Sequence, residues 1–107
     1  MERLNVIFRA ERAGPYKGEV TAVFPSIPSD YHGGTLCYAR IGQHGGCSDG
    51  WYRKTRPAMP EEYAPLLAEL RGIYETGDDA VQLVVRTRRT PADSAAYIRE
   101  ARRLCAA

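Results

Sequence analysis

Both histidines of the chain, His32 and His44, lie close in sequence to two of its 3 cysteines, Cys37 and Cys47. Imidazole and thiolate together are zinc ligands. The spacing does not make a zinc motif, however. Cys37 falls in the middle of a strand-like alternation, on the side of Ala39 and Ile41, where a small apolar side chain is expected. The knuckle His44-Gly45-Gly46-Cys47 then has no second half. Neither a metal nor a cofactor is expected. The same residues offer a cysteine nucleophile with a histidine base, Cys47 with His44 or His32, and Asp49 and Asp30 lie nearby in the chain. Such a site also needs an oxyanion hole and an orienting acid, and the sequence locates neither in space. A thiol in a glycine-rich loop is the simpler reading, so a small Cys/His enzyme stands only as an alternative. Gly33-Gly34 and the run Gly42 to Gly50 match no phosphate-binding loop, and neither G-x-S-x-G nor H-E-x-x-H occurs.

A stronger signal lies in Gly50-Trp51-Tyr52-Arg53-Lys54-Thr55-Arg56-Pro57. Trp51 and Tyr52 stand beside Arg53, Lys54 and Arg56, which is the composition of binding hot spots: large contact area, few rotors to freeze, forked donors. The same residues suit stacking on unpaired bases while cations hold phosphates. The competing reading is structural. Trp51 caps the core, and Arg53 or Arg56 stacks on it or pairs with Glu61 or Glu62. Further along, Arg86 and Arg88 project from a strand to the side opposite Val85, with Arg89 after them, and would form a basic ridge if that side is open. Arg99, Arg102 and Arg103 recur at helical spacing and could extend it.

Charge is polarised along the chain although the net charge is only +2. Residues 40–56 set Arg40, Arg53, Lys54 and Arg56 against Asp49 alone. Residues 57–79 set Arg71 against Glu61, Glu62, Glu69, Glu75, Asp78 and Asp79, and the tail from residue 80 is again basic. Of the 15 cations only Lys17 and Lys54 are not arginine, which favours planar, bidentate contacts over diffuse charge. The overall balance is too near neutral to announce a nucleic-acid partner.

Length and composition set the frame. A chain of 107 residues holds one core, and 44% hydrophobic with 26% charged residues is ordinary globular composition. No stretch approaches the roughly 18 apolar residues of a membrane span. The opening Met1-Glu2-Arg3-Leu4-Asn5 does not read as a secretion signal. An odd cysteine count without framework spacing suits a reducing cytoplasm. Cytoplasmic localisation is therefore the expectation.

The elements that must position these residues follow from periodicity. Leu4 to Arg9, Glu19 to Phe24 and Thr35 to Ile41 alternate with a period of two and read as strands. The first two are joined as a hairpin. Pro25 to Gly34 reads as a loop, Gly42 to Gly50 as a turn region, and Trp51 to Thr55 as a short edge strand. Tyr63, Leu66, Leu67, Leu70, Ile73 and Tyr74 form a helical stripe that starts near Pro60 and stops at Gly77. Pro65 fits that helix if its regular turn begins near Glu62. Ala80 to Thr87 is a strand. Thr90-Pro91-Ala92-Asp93 then caps a helix that buries Tyr97, Ile98, Ala101, Leu104 and Cys105, with Arg99, Glu100, Arg102 and Arg103 on its wet side. The expected architecture is a single α+β domain over residues 1–107. It has an antiparallel sheet of four to five strands with two helices on one face, in the order β-β-β-(β)-α-β-α.

The segments Val6-Ile7-Phe8-Arg9-Ala10-Glu11, Lys17 to Pro25, Ile41-Gly42-Gln43-His44-Gly45, Trp51-Tyr52-Arg53, Arg56-Pro57-Ala58 and Pro60-Glu61-Glu62-Tyr63 together resemble a group of small bacterial proteins often carried in phage or other mobile DNA. No activity or functional residue is assigned to that group. The resemblance implies a genomic setting in which small single domains bind and block or modulate a host machine. The leading expectation is a non-catalytic cytoplasmic binding protein, an inhibitor or modulator of a host protein or nucleoprotein complex such as a defence complex. Its docking residues would be Trp51, Tyr52, Arg53, Lys54, Arg56, Arg86 and Arg88. The alternatives are direct nucleic-acid binding through the same cations and a small Cys/His enzyme.

Overall fold

The computed structural model describes residues 2–29, 33–39 and 42–106, the last by its backbone only. In chain order the described elements are β1 (Glu2–Glu11), β2 (Val20–Pro28), β3 (Thr35–Ala39), β4 (Gln43–Cys47), α1 (Asp49–Lys54), β5 (Thr55–Pro57), α2 (Pro60–Tyr74), β6 (Val81–Arg86) and α3 (Pro91–Ala106). The fold is α+β, built on one six-stranded sheet in the order β4-β3-β2-β1-β5, with β6 also on β1.

β1 organises the sheet because its ten residues are long enough to serve two neighbours on one edge. Residues 2–7 of β1 pair in parallel with β6, from Glu2 opposite Val81 to Ile7 opposite Arg86. Residues 9–11 pair antiparallel with β5, Arg9 opposite Pro57 and Glu11 opposite Thr55. Its other edge takes β2 antiparallel, with Ile7 opposite Val23 and Ala10 opposite Val20. The expected antiparallel sheet holds for every described pairing except that of β6 on β1. α2 carries the chain across the sheet between β5 and β6, so β6 returns in the direction of β1.

The alternation expected for β1 and β2 holds, and it divides the molecule into two faces. Val6, Phe8, Ala10, Val20, Ala22, Phe24, Tyr38 and Leu83 are buried on one face together with Leu66 and Leu70 of α2. Phe8 stacks on Tyr63 of α2 with ring centres 4.5 Å apart. A side chain buried as fully as Leu70 contributes about 1.5–3 kcal/mol. The opposite face carries a smaller cluster of Ile7, Val23, Cys37 and Cys47, against which Trp51 and Tyr52 of α1 pack. α3 meets the sheet on this second side, where Asp93 accepts from Asn5 Nδ2 at 3.0 Å and Arg89, just before the helix, reaches the Thr35 hydroxyl. The helices therefore lie on both faces rather than on one. Both faces of β1 are apolar at Val6 to Phe8, so each needs a cover.

Local chemistry explains where elements start. Asp93 N–H donates to Thr90 Oγ1 at 3.1 Å and Thr90 N–H donates to Asp93 Oδ2 at 2.9 Å, the reciprocal cap expected from Thr90-Pro91-Ala92-Asp93. Trp51 to Thr55 is not the expected strand. Ser48 accepts from Trp51 N–H at 3.1 Å and caps a short helix, α1, so the edge strand begins only at Thr55. The glycine-rich run does not simply turn. Gly42 makes the turn at φ +84°, and Gln43–Cys47 then pairs with β3 as an edge strand. Ladder hydrogen bonding overrides the poor strand propensity of Gly45 and Gly46. α2 begins at Pro60 rather than near Glu62, which places Pro65 one turn inside the helix. α3 leaves Ile98, Leu104 and Cys105 exposed, against the expected burial, because its contacts with the sheet are concentrated near its start. No described helix is long and apolar enough to cross a membrane.

Candidate functional site

The second face of the sheet is only partly covered, and the gap between α1 and the turn after β6 is a cleft of about 460 Å³. Its floor is Ile7, Val23 and Pro25. One wall is Tyr52 with Ser48 and Asp49, and the other is Thr87, Arg88 and Arg89. Each part follows from a local rule. Ile7 faces the cleft because Val6 and Phe8 are committed to α2. Tyr52 stands over the floor because the Ser48 cap starts α1 where it does. Arg88 lies beyond the end of β6, in the turn from which Thr87, Arg88 and Arg89 all reach the cleft.

Arg9 is the residue that gives this cleft its electrostatic character. It is only 9% exposed, yet it lines the cleft. Its Nε donates to Thr55 Oγ1 at 2.8 Å and its Nη2 to the Thr55 carbonyl at 2.7 Å. Its guanidinium lies 4.4 Å from the centre of the Tyr52 ring. All of these partners are neutral, and no ion pair compensates Arg9 among the described residues. Arg89 stacks on Tyr97 at 5.7 Å and reaches Thr35 Oγ1 at 3.5 Å, again without a carboxylate. Arg88 is exposed and has no hydrogen-bond or ion-pair partner among the described residues. Asp49 is the lone acid of the cleft wall, and it is engaged by Arg53 at 3.1 Å. A buried guanidinium satisfied only by neutral dipoles retains its full charge, and in a partly desolvated cleft that charge acts strongly on an anion.

The residues expected to form one docking surface are not brought together as such. Trp51 is half-buried against the Ile7 cluster, and its indole N–H donates to Glu11 Oε1 at 2.9 Å. Tyr52 forms the cleft wall. Arg53 and Lys54 are exposed at the far end of α1. Arg56 pairs in register with Ala10, which turns it to the α2 side, where it makes a bidentate ion pair with Glu62 at 2.8 and 2.7 Å. Glu62 also accepts from Met59 N–H at 2.8 Å, and these donors hold its carboxyl down to about 2. Arg86 is exposed and reaches Asn5 Oδ1 at 3.4 Å. Only Tyr52 and Arg88 of the expected set line the cleft, and Arg9, its most buried cation, has no role in the sequence reading beyond its place in the Leu4 to Arg9 alternation. The arginine beside an inward Ile7 on a two-faced strand was the available sign.

The cysteine–histidine combinations separate. His44 faces α2, where its Nε2 meets Tyr74 Oη at 2.7 Å and its ring packs edge-on to Tyr38 at 4.8 Å. Cys47, three residues on, faces the opposite side beside Cys37 and Ile7. His32 and Asp30 lie outside the described residues, as do Arg40 and Ile41. Among the described residues no group of three His, Cys, Asp or Glu side chains is arranged to hold a metal ion. No family model, no curated protein and no solved structure matches this chain.

Proposed function

We propose that the protein is a non-catalytic binding module that takes an acidic segment of a partner protein into the cleft between α1 and the β6–α3 turn. The observation that carries this reading is Arg9, a nearly buried cation with no counter-charge among the described residues, opening into the same cleft as Arg88 and Arg89. Guanidinium groups match carboxylates in a planar, two-pronged geometry. The apolar floor of Ile7, Val23 and Pro25 adds a seat for the side chain beside the carboxylate. A cleft of this volume suits one or two side chains of a peptide better than a nucleic-acid backbone, whose recognition needs cations spread along a track. The resemblance to proteins of phage and mobile DNA supports a host protein or nucleoprotein complex in the cytoplasm as the partner. Binding would act by occupying that partner's surface.

The test uses two fluorescein-labelled probes, an Asp/Glu-rich peptide carrying one phenylalanine and an oligothymidylate. Binding of the peptide with amide shifts centred on Ile7, Tyr52, Thr87 and Arg88 in nitrogen-15 spectra supports the reading. Binding of the oligothymidylate alone, weakening steeply with salt, overturns it in favour of nucleic acid. Peptide-induced shifts elsewhere on the fold overturn the assignment of the cleft.

A further inference from the structure

Cys37 and Cys47 sit on adjacent strands and point to the same side. Cys37 lies opposite Gly45, and Cys47 lies opposite Thr35, so the two are diagonal neighbours on the Ile7 face, within one small apolar cluster. Diagonal neighbours stand about 7–8 Å apart, so joining two short side chains in that relation requires one strand to shift. Cys47 Sγ donates to the Thr35 carbonyl at 3.4 Å. Exposures of 8% and 9% shield both thiols from bulky reagents. Both nevertheless line a second cavity, of about 590 Å³, next to Trp51 and Glu11. A small neutral oxidant can enter there.

The surroundings make the two thiols unequal. Cys37 is lowered to about 7, chiefly by the neighbouring Cys47 thiol and in part by the backbone of Gly45, against the upward push of burial. Cys47 is pushed up by its neighbour Cys37 and by burial. One thiolate beside one retained thiol is the arrangement in which the first sulfur attacks and the second resolves.

We propose that Cys37 and Cys47 are a redox pair that a small hydroperoxide converts to a reversible intramolecular disulfide. The Cys37 thiolate attacks the terminal peroxide oxygen, the O–O bond breaks, and the departing alkoxide or hydroxide takes a proton, leaving Cys37 as a sulfenic acid. The Cys47 sulfur then attacks the Cys37 sulfur, the S–O bond breaks, and the oxygen leaves as water with the Cys47 thiol proton. The dithiol loses two electrons, and the hydroperoxide gains them. Closure requires Cys47 to approach Cys37, and β4 allows this because it is an edge strand with Gly45 and Gly46 just before Cys47. The inference does not depend on what occupies the arginine-lined cleft.

The full chain carrying Cys105→Ser, which removes the exposed thiol, is treated with equimolar hydrogen peroxide, denatured, alkylated with iodoacetamide and weighed intact. The expected product is lighter by two hydrogen atoms, takes up no alkyl group, links the peptides containing Cys37 and Cys47, and returns to two alkylatable thiols with dithiothreitol. With Cys47→Ser added, the sulfenic acid on Cys37 should persist and be trapped by dimedone. If both thiols of the Cys105→Ser chain still alkylate after peroxide, or if both carry oxygen with no link between them, the proposal fails. That first measurement decides the matter even if the Cys47→Ser variant does not fold.

Discussion

The Arg9 guanidinium stacks 4.4 Å from the centre of the Tyr52 ring while its N–H groups hold the hydroxyl and the carbonyl of Thr55. Thr55 in turn donates its hydroxyl to the Tyr52 carbonyl at 2.6 Å. One side chain of β1 thus fixes the end of α1, the start of β5 and the wall of the cleft. Arg9→Met removes these donors, leaves Thr55 Oγ1 without a donor in a buried setting, and leaves the Thr55 carbonyl with Arg12 Nε at 3.1 Å. A loss of about 2–3 kcal/mol is expected in urea unfolding. Arg9→Lys should recover part of it, because an ammonium cannot span the same fork. An unchanged urea midpoint for Arg9→Met would mean that the network is not a source of stability.

Arg88 is exposed and lines the cleft without supporting the fold. Arg88→Ala is therefore expected to leave stability within about 0.5 kcal/mol of the parent. Affinity for the acidic peptide should fall by roughly tenfold, the loss of one charge-assisted contact. Thermal melting and peptide anisotropy, run side by side, check the two halves.

Trp51 serves the molecule's own interior. Trp51→Phe keeps most of the packing on Ile7 and Val23 and loses the hydrogen bond to Glu11, at about 1 kcal/mol. Trp51→Ala also opens the apolar cluster and should cost about 2–3 kcal/mol. Indole fluorescence of the parent protein should be partly protected from acrylamide, in keeping with a half-buried ring. Full quenching, as for a free indole, would contradict this placement.

Acid should weaken the fold through Glu62 and Glu75. Arg56 and the Met59 N–H hold Glu62 down to about 2 from 4.5. The Leu83 N–H and Arg71 lower Glu75. A carboxylate whose folded value is depressed adds stability above its unfolded value, and that stability is lost as pH falls toward the folded one. For Glu62 the window runs from about pH 4.5 down to about pH 2. Glu62→Gln should lower stability at neutral pH and flatten the slope across this window. Urea midpoints at a series of pH values measure it, and an unaltered slope would refute the assignment.

Pro65 lies one turn inside α2 and is exposed. It cannot donate to the Glu61 carbonyl, so Pro65→Ala restores one intrahelical bond with a better helix former. A gain of about 1–2 kcal/mol is expected, since part of the helix preference is offset by the freer unfolded chain. A lower melting temperature for Pro65→Ala would show that the ring packs where it stands.

The sequence by itself determined the alternating strands from Leu4, Val20 and Val81, the stripe of Leu66 and Leu70, and the cap at Thr90 and Asp93, because each depends on spacing within one short segment. It did not reveal that Ser48 starts a helix, although Ser48-Asp49 was a readable cap signal, and Trp51 was drawn to a strand reading instead. Tertiary structure alone decided the rest. Arg56 turns toward Glu62 because β5 pairs with Ala10 in one register and no other. Arg9 joins Arg88 and Arg89 because β6 lies parallel on the half of β1 that β5 leaves free. His44 and Cys47 part because a strand sends residues three apart to opposite faces. Pairing partners and the side to which a strand turns its residues are long-range facts, set when the faces of β1 find their covers, and no local pattern encodes them.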